Sequence, residues 1–540
     1  MLPLHARAPL SRRSPHAHLC RALLLSVLAA CGGAGGPASP DPSGAEPEVA
    51  RIVATPAGGG VAVTPSGATL AAGATVQLTA VDDAGRAVAG VRWSSGDPAV
   101  ATVAATGLVT AVAPGSAVVE AASKSRTATA QVTVSAPAPP PGGTPISPGD
   151  DIQARVDAAA PGTHFVLRAG VHRLQHVRPR DGMVFAGEPG AVLSGARLLE
   201  GWARSGAAWV IGGQTQQGAA AGVCEDGGQA CRWPEDLFLD DVPLRRVASA
   251  GEVAPGTWYF DYAADRVLVG SDPIGRRVEI SVLPHAFSGG AAGVVVRGVV
   301  IEKYATPAQQ GTLQGNATSG WTVEDSEIRL NHGIGLRTGN GMRVLRSRIH
   351  HNGQMGIGGS GNGVLVEGNE IHHNNTLGFD PAWEAGGSKF VRTDGLVLRG
   401  NFSHHNHGHG LWTDIDNVNT LYEANRVEDN TRSGIFHEIS YRAVIRGNVA
   451  RRNGGGGAQW VDGAGILVNS SRDVEIYGNV VEGNLNGIAA VQSARGSGAH
   501  GAYELANLYV HHNDVAMAQG RSGVVQNAGS QAVFASMNVR

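Results

Sequence analysis

The fold of this chain is decided by a nine-residue pattern that recurs seven times between residues 323 and 484. Each copy opens on an apolar residue and ends on Asn: VEDSEIRLN (323–331), VLRSRIHHN (344–352), VEGNEIHHN (366–374), LRGNFSHHN (398–406), YEANRVEDN (422–430), IRGNVARRN (445–453) and IYGNVVEGN (476–484). A few residues later Gly precedes an aliphatic or aromatic residue, at Gly333, Gly356, Gly378, Gly410, Gly434, Gly465 and Gly487. These glycines are spaced by 23, 22, 32, 24, 31 and 22 residues.

A period of about 22 to 24 residues is one turn of a parallel β-helix, and the two longer intervals indicate loop insertions. Each coil lays its strand about 4.8 Å from the preceding one and buries a column of apolar side chains. The Asn residues at fixed turn positions are expected to stack into internal amide ladders. The pattern therefore predicts an all-β protein dominated by a solenoid.

The start of the solenoid is expected near residue 150, where a short helix has Asp150 or Asp151 as its N-cap. Its apolar residues Ile152, Val156 and Ala159 share one face. With PGTHFVLRAGVHR (161–173), this segment resembles the opening of pectate-lyase-like right-handed parallel β-helices, in which a small helix plugs the first coil. We therefore assign residues 150–540 to a right-handed parallel β-helix.

Two interruptions of the solenoid are expected. Residues 200–290 contain LFLDDVPLRRVAS and GTWYFDYAADRVLVG, which read as hairpins of an insertion. Cys224 and Cys231 lie in this insertion, seven residues apart, and we predict that they form a disulfide rather than a metal site. The last apolar run ends at Arg540 without a capping element, so we predict an open final strand, whether the chain is truncated or this edge meets a partner.

Before the solenoid, residues 50–135 alternate apolar and polar side chains in short runs, as a small β-sandwich does. The pieces Trp93-Ser94-Ser95, Val100-Ala101-Thr102-Val103, Gly107-Leu108-Val109 and Gly115-Ser116-Ala117 resemble the group 2 bacterial immunoglobulin-like domain. A spacer or adhesive role follows from that resemblance. The Pro-rich segment 136–149 is a linker.

The N-terminus reads as an export signal. Arg12, Arg13 and Arg21 flank the apolar run 23–30, which is too short to span a bilayer. Residues 28–31, Leu-Ala-Ala-Cys, resemble the lipobox of bacterial lipoproteins, in which the cysteine, here Cys31, is acylated; a cleaved signal with an incidental Cys is the alternative. We thus expect a signal peptide (1–30), a flexible tether (31–49), and an exported chain held on the outer membrane or cell surface by its lipid anchor alone.

Composition excludes one class of partner. The net charge is −3 and no basic run follows the N-terminus, so the electrostatic footprint of a nucleic-acid-binding protein is missing. Glycine is abundant, with 78 residues, but lacks the strict triplet period of collagen. We expect a monomer whose partner is a polysaccharide or oligosaccharide.

The candidate site lies on two neighbouring coils, GLWTDIDN (410–417) and GIFHEIS (434–440). Aligned by their glycines, they bring Asp414 opposite Glu438. If Ile415 and Ile439 point inward, both carboxylates point outward on one exposed face, about 5 Å apart. That separation suits a retaining glycosidase, and mutual repulsion would keep one group protonated.

The same residues carry a resemblance to β-xylosidase-type β-helix glycoside hydrolases. Gly-Leu-Trp-x-Asp (410–414) is followed one coil later by Phe-x-Glu (436–438) and preceded by Glu-x-Gly-Gly-x-Lys (384–389). The resemblance implies Asp414 as nucleophile and Glu438 as acid/base. The neighbouring residues expected to contact substrate are Trp383, Glu384, Lys389, Trp412, Asp416 and His437. His437 and the Ile-Asp-Asn after Asp414 depart from the family pattern.

Several alternatives remain open. A polysaccharide lyase or epimerase would need a base, for which Lys389, His437 and Tyr441 are available, and an adhesin would bind glycan without turnover. No cofactor is required for hydrolysis, although Asp416 could ligate Ca²⁺ together with Asn417 and Asn419. The HHN triplets at His350, His372 and His404 invite a metal site, but they lack acidic co-ligands at ligand spacing, so we expect solvated turn histidines.

Overall fold

The computed structural model describes residues 61–540 except 72–73, 99, 113–114, 124–125, 136–141, 457–459, 519–520, 528 and 530. The predicted signal peptide, the lipidation site Cys31, the tether and part of the linker lie outside the described residues. Within the described ranges, no helix has the length and apolar character needed to cross a membrane.

Residues 61–135 form a β-sandwich with its own core. Its strands are Val61–Thr64, Gly67–Ala71, Thr75–Gln77, Thr79–Asp82, Arg92–Ser95, Ala101–Val103, Leu108–Ala111, Gly115–Ser123 and Arg126–Ser135. Alternate residues face inward, as a strand requires, so that Val109, Val119 and Val132 are fully buried. The sandwich predicted from the alternation is confirmed, and its last strand ends at the predicted boundary.

The rest of the chain is a parallel β-helix whose strands form three stacks. The first stack contains Gly311–Gln314, Ile334–Thr338, Met355–Asn362, Gly386–Asp394, Leu411–Thr413, Ile435–Glu438, Ala464–Asn469, Asn486–Val491 and Ser522–Gln526. The second contains Thr144–Ile146, His164–Leu167, Val184–Gly187, Val295–Arg297, Thr322–Glu324, Arg343–Leu345, Leu365–Glu367, Val397–Arg399, Val418–Glu423, Tyr441–Arg446, Arg472–Tyr477, Leu508–His511 and Ala532–Ala535. The third contains Gly170–Arg173, Ala191–Ser194, Val300–Glu302, Glu327–Arg329, Arg348–His350, Glu370–His372, Phe402–His404, Arg426–Glu428, Val449–Arg451, Val480–Glu482, Asp514–Ala516 and Asn538–Val539.

Buried asparagines hold the corners between stacks, as predicted. One ladder, at the end of the nine-residue pattern, comprises Asn331, Asn352, Asn374, Asn406, Asn430, Asn453 and Asn484, in which each Nδ2 donates to the Oδ1 of the next at 2.8–3.0 Å. A second ladder runs from Asn369 through Asn401, Asn425, Asn448 and Asn479 to Asn513. Because the amides satisfy one another and the turn backbone, the described ladder asparagines stay buried with their hydrogen bonds made.

The glycine column differs from the predicted one in two coils. The register pairs Ile334 with Met355, so Gly335, and not Gly333, lies beside Gly356. Gly378 lies in a loop that precedes the next first-stack strand and includes the short helix Pro381–Glu384. The loop inserts residues before the strand rather than after it, which moves the true position to Gly387.

The N-terminal end of the solenoid is plugged as predicted. Helix Ile152–Ala158 begins after Asp151, whose Oδ1 accepts a hydrogen bond from the Ala154 amide at 3.0 Å. Ile152 and Val156 are fully buried and join the main core. The helix thereby covers the first coil.

The predicted insertion is also present. Two small sheets between the second and third coils contain Ala196–Leu198, Ala203–Ser205, Ala208–Ile211, Leu237–Leu239, Val242–Pro243, Arg245–Arg246, Thr257–Asp261, Arg266–Val269 and Val278–Ser281, with 3₁₀ turns at Ala230–Arg232, Ala250–Glu252 and Tyr262–Ala264. They bury a separate core around Trp258 and Phe260. The disulfide between Cys224 and Cys231 is confirmed, with a Cα–Cα distance of 5.7 Å.

The C-terminal end is open among the described residues, as predicted. Ala532–Ala535 and Asn538–Val539 are the last strands of their stacks, and each pairs on one side only. Val533 and Val539 are 61% and 51% exposed.

The prediction of solvated turn histidines is wrong. His350 and His372 are only 8% and 7% exposed, because imidazoles of successive coils stack on one another. Carboxylates also lie beside them, at Glu327 and Glu370, one coil away rather than nearby in the sequence.

Candidate active site

Asp414 and Glu438 are positioned by adjacent first-stack strands. Leu411–Thr413 pairs in parallel with Ile435–Glu438, and the register places Thr413 beside His437. The alternation of side chains sends Leu411 into the core. Asp414 follows as the next outward position, and its amide donates to the Phe390 carbonyl of the preceding coil at 2.9 Å. The predicted alignment of the two carboxylates on neighbouring coils agrees with this register.

Asp414 is held by a buried cation. Lys389, one coil earlier, places its Nζ 2.9 Å from Asp414 Oδ2, and both side chains are less than a tenth exposed. The same ammonium lies 4.0 Å from the centre of the Trp412 ring and 3.4 Å from the Trp383 carbonyl. Asp414 Oδ1 has no hydrogen-bond partner among the described residues. One oxygen of the carboxylate is therefore fixed, and the other is buried without a described partner.

The carboxyl of Glu438 has a raised pKa. Burial raises the pKa of its carboxyl above the ordinary value, and the nearby Asp414 carboxylate raises it further, against the lowering effect of Arg495. Arg495 Nη1 forms an ion pair with Glu438 Oε1. A Glu438 carboxyl that keeps its proton to higher pH, beside a second carboxylate, is the arrangement expected of an acid next to a nucleophile.

A hairpin covers the two carboxylates, so the predicted exposed face is wrong. Strands Ser497–Gly498 and Gly501–Ala502 pair with each other in the segment that follows Arg495. Asp414 and Glu438 are consequently only 5% and 7% exposed. Gly498 is required here, since any Cβ would collide with Asp416 Oδ1 and the Tyr503 hydroxyl.

Asp416 anchors this hairpin. Its Oδ1 accepts hydrogen bonds from the Ala499 amide at 2.9 Å and from the Tyr503 hydroxyl at 2.8 Å. Tyr441 donates to the Gly501 carbonyl at 2.8 Å. Asp416 therefore has a positioning role, in contrast to the predicted contact with substrate.

The predicted substrate contact by His437 is contradicted. His437 is fully buried and points into the solenoid, where Nδ1 lies 2.8 Å from Thr413 Oγ1. Burial lowers the pKa of this imidazole to about 3. Ile415 and Ile439 depart from the expected alternation as well, because both have positive φ and pack outside the main core.

Trp412 is not an exposed sugar platform. It is 3% exposed, stacks on Phe436 at a centroid distance of 5.6 Å, and joins an outer cluster that includes Val461 of the 3₁₀ turn Trp460–Gly463. His409 packs against the same two rings at 4.9 Å. This cluster instead forms an apolar wall behind Lys389.

Trp383 and Glu384 lie in the helix Pro381–Glu384, next to the site. Trp383 is half-buried, and its backbone carbonyl accepts a hydrogen bond from Lys389 Nζ. The Glu384 carboxylate accepts from Gln309 Nε2 at 2.9 Å, so its described partner belongs to an earlier coil rather than to the Asp414 pair.

The Ca²⁺ alternative does not fit the arrangement of its three residues. Asn417 is fully buried, and its amide bonds to Thr393 Oγ1 and the Phe390 carbonyl inside the solenoid. Asn419 bonds outward to Asp394, and Asp416 faces the hairpin. Their oxygens do not converge, because the positive φ at Asp416 and Asn419 turns successive side chains apart.

Sequence reasoning missed Arg495, Tyr503 and His409. Arg495 and Tyr503 follow the last copy of the pattern, where the ladder asparagines Asn479 and Asn513 are 34 residues apart, more than the usual length of one coil. That excess length was the only available signal of an insertion. No local motif links Arg495 to Glu438.

Comparisons with known proteins agree with the architecture. The profile of the family described as "Right handed beta helix region" matches residues 312–481, and that of "Bacterial Ig-like domain (group 2)" matches residues 59–134. No curated protein sequence matches the chain. The chain is thus a right-handed parallel β-helix preceded by an immunoglobulin-like domain.

Several solved structures match the chain at low sequence identity. The mannuronan C-5 epimerase AlgE4 A-module of Azotobacter vinelandii is 16% identical with a TM-score of 0.45, over 72% of this chain and 91% of that one. Polygalacturonase from Erwinia carotovora is 10% identical with a TM-score of 0.34, over 77% and 100%. The surface adhesin PfbA of Streptococcus pneumoniae is 11% identical with a TM-score of 0.30, over 73% and 97%.

Proposed function

We propose that the chain is a carbohydrate-active enzyme, a retaining glycoside hydrolase that acts on a polysaccharide or oligosaccharide. The observation that carries the proposal is the Asp414–Glu438 pair on adjacent coils, in which Asp414 helps to raise the pKa of Glu438. Strands of adjacent coils are about 4.8 Å apart, which is close to the carboxylate separation of retaining enzymes. Asp414 is the nucleophile and Glu438 the acid/base.

The chemistry proceeds in two steps. Asp414 Oδ1, which has no other described partner, attacks the anomeric carbon while Glu438 gives its proton to the leaving oxygen. Glu438, now ionised, then takes a proton from water, and the resulting hydroxide displaces Asp414. Lys389 supports the first step by pairing with the ionised Asp414 through Oδ2.

Access to these atoms requires the hairpin that contains Gly498 and Gly501 to move. The hairpin is held by three hydrogen bonds, two to Asp416 and one from Tyr441, and by the nearby ion pair of Arg495 with Glu438. The segment also packs through Tyr503 into one small apolar cluster with Ile439 and Tyr441. A segment held by a few polar contacts and one small cluster is the kind that opens at low cost.

The lyase or epimerase alternative has less support. His437 points inward, and the Tyr441 hydroxyl donates to a carbonyl while burial raises its pKa. Lys389 remains, but its ammonium is paired with Asp414. None of the three bases considered is poised to take a proton from a sugar.

Glycan binding without turnover is favoured by one separate observation. A surface groove of about 700 Å³ crosses the outer face of the second stack and is lined by Arg442, Arg446, Glu475 and Tyr509, among others. Tyr509 is 42% exposed, and an exposed aromatic ring offers a stacking face for sugar. This groove suits a long chain and would serve an adhesin or an enzyme equally.

The test is hydrolysis of a panel of polysaccharides and aryl glycosides by the full chain. We expect Asp414→Asn to abolish turnover, and Glu438→Gln to spare only aryl glycosides whose leaving group needs no proton. Azide should restore turnover to Asp414→Gly and Glu438→Ala, with glycosyl azides of opposite anomeric configuration. Glu482→Gln, at an ion-paired but more exposed carboxylate on another coil, serves as the matched control with unchanged activity.

Each other outcome identifies a different function. An unsaturated product that absorbs in the near ultraviolet identifies a lyase and overturns hydrolysis. Glycan binding by the wild-type chain without any product identifies a binding protein. Full activity in both the Asp414 and Glu438 variants removes the site from the reaction.

We further propose that the chain is an exported monomer anchored through acylated Cys31. The Cys224–Cys231 disulfide supports an oxidising compartment, since such bonds are rare in the cytosol. Incorporation of a labelled fatty acid in growing bacteria, absent after Cys31→Ala, tests the anchor. Sedimentation of the purified chain tests the monomer.

A further inference from the structure

Six histidines form a ladder at the corner that precedes the first stack. His350, His372 and His404 stack with ring centroids 4.6 and 5.0 Å apart, and His351, His373 and His405 stack beside them at 5.0 and 5.1 Å. Each coil thus contributes one rung of two adjacent imidazoles. The ladder lies before the first-stack strands in each coil, whereas Asp414 and Glu438 lie at the C-terminal ends of those strands.

Within a rung, the two Nδ1 atoms face each other. The Nδ1–Nδ1 distance is 2.8 Å in the pairs His350–His351, His372–His373 and His404–His405. The second histidine makes this approach feasible, because its positive φ places neighbouring side chains on the same side of the chain. At 2.8 Å two protonated nitrogens would repel, so at least one Nδ1 of each rung presents a lone pair.

Carboxylates behind two rungs fix the tautomer. His350 Nε2 lies 2.9 Å from Glu327 Oε1, and His404 Nε2 lies 3.1 Å from Glu370 Oε1. A carboxylate accepts only from a protonated nitrogen, so the Nδ1 of the neutral ring carries the lone pair. Metal-binding histidines in proteins commonly have this arrangement, in which one ring nitrogen donates to a carboxylate and the other ring nitrogen binds the metal. In the middle rung, His372 Nε2 has no hydrogen-bond partner among the described residues.

The distance between the two Nδ1 atoms of a rung indicates which metal ions fit between them. Two bonds of about 2.05 Å to atoms 2.8 Å apart meet at about 86°, nearer to a square-planar than to a tetrahedral angle. Imidazole donors at such angles suit Cu²⁺ and Ni²⁺. Ions on neighbouring rungs would lie about 5 Å apart and repel, so the outer rungs of the ladder are favoured over the middle one.

We propose that the rungs His350–His351 and His404–His405 each bind one Cu²⁺ or Ni²⁺ ion through paired Nδ1 atoms, with Glu327 and Glu370 as hydrogen-bond acceptors behind the ligands. The proposal is independent of the glycosidase assignment. The same rung occurs alone at a different corner, where His511 and His512 have an Nδ1–Nδ1 distance of 2.8 Å and Glu475 lies 3.1 Å from His511 Nε2.

Calorimetric titration of the full chain with Cu²⁺, and separately with Ni²⁺, tests the proposal. The variants replace the second histidine of each rung by Asn, which tolerates the left-handed backbone, and far-ultraviolet circular dichroism of the metal-free proteins verifies the fold. We expect His351→Asn with His405→Asn to lose two equivalents of bound ion relative to the wild type, and His512→Asn to lose one. His373→Asn, in the middle rung, and His164→Asn, at an exposed single histidine, should lose none.

A second measurement separates a designed site from a chance pair of nitrogens. Glu327→Gln should weaken one class of sites by about 10- to 100-fold, the usual effect of removing a carboxylate behind a histidine ligand. Asp414→Asn should leave every site unchanged, which keeps this test distinct from that of hydrolysis. Equal stoichiometry in the wild type and the His351/His405 double variant overturns the proposal, and so does a loss in His373→Asn as large as that in the double variant.

Discussion

Lys389 offers the sharpest test of how the carboxylate pair is held. Its Nζ lies 2.9 Å from Asp414 Oδ2, with both side chains nearly buried. At an effective dielectric constant of about 20, two unit charges at this distance attract by about 6 kcal/mol, most of which offsets the cost of removing them from water. Lys389→Met removes the cation and leaves a buried carboxylate with neither oxygen paired.

We expect Lys389→Met to lower the free energy of unfolding by about 3–5 kcal/mol, as removal of one partner from a buried ion pair does. Asp414→Asn should lower it less, by about 1–3 kcal/mol, because the ammonium keeps its contacts with Trp412 and the Trp383 carbonyl. The double variant should be more stable than Lys389→Met alone. The coupling energy of the cycle is then about 2–3 kcal/mol.

The assay is guanidinium unfolding of the four proteins, compared at unchanged m-value. Arg399→Met provides the matched control: Arg399 pairs with Glu423 at 2.7 Å across coils but is exposed, and its loss should cost less than about 1 kcal/mol. Additive free energies of unfolding, with a coupling below about 0.5 kcal/mol, would refute the reasoning.

Two further predictions concern the cover of the site and the corners of the solenoid. Arg495→Gln removes a group that lowers the pKa of Glu438, so the basic limb of the pH–rate profile should move to higher pH; a shift to lower pH, or none, contradicts the assignment of Glu438 as the acid. Asn430→Ala should lower the free energy of unfolding by about 2–4 kcal/mol, since the Asn406 amide and the Ser403 carbonyl lose a buried partner. Thermal or denaturant unfolding measures this loss, against exposed Asn316→Ala as control, and equal effects of the two changes would speak against a stabilising ladder.

The repeating part of the fold was predictable because repetition leaves a direct trace in the sequence. Each ladder asparagine, such as Asn430, bonds to its equivalents one coil away, so the same amide is needed in every coil. The plug was likewise predictable from Asp151 and two apolar residues, since capping is local. The disulfide needed only two cysteines close in sequence.

The departures from repetition were harder to predict. Gly378 and Gly387 both precede possible strands, and the sequence alone does not reveal that residues between them form a helix before the strand. Beyond the strand end, a positive φ at Ile415 breaks the period-two rule on which its inward orientation was predicted. Only the part of the site within the strand register was therefore predicted correctly.

A solenoid places equivalent side chains of successive coils about 4.8 Å apart. Carboxylates at equivalent positions of two successive coils therefore lie next to each other. Asp414 and Glu438 are such a pair, and like charges at this spacing inside a covered site are unfavourable. The repeat itself supplies no compensating cation at that position. The two cations come from elsewhere, Lys389 from the preceding coil and Arg495 from the hairpin, and each pairs with a different carboxylate. Because Lys389 is fixed in a strand while Arg495 adjoins a segment that must move, opening of the hairpin should release Glu438 from its ion pair and leave Asp414 paired with Lys389, the state in which substrate would be bound.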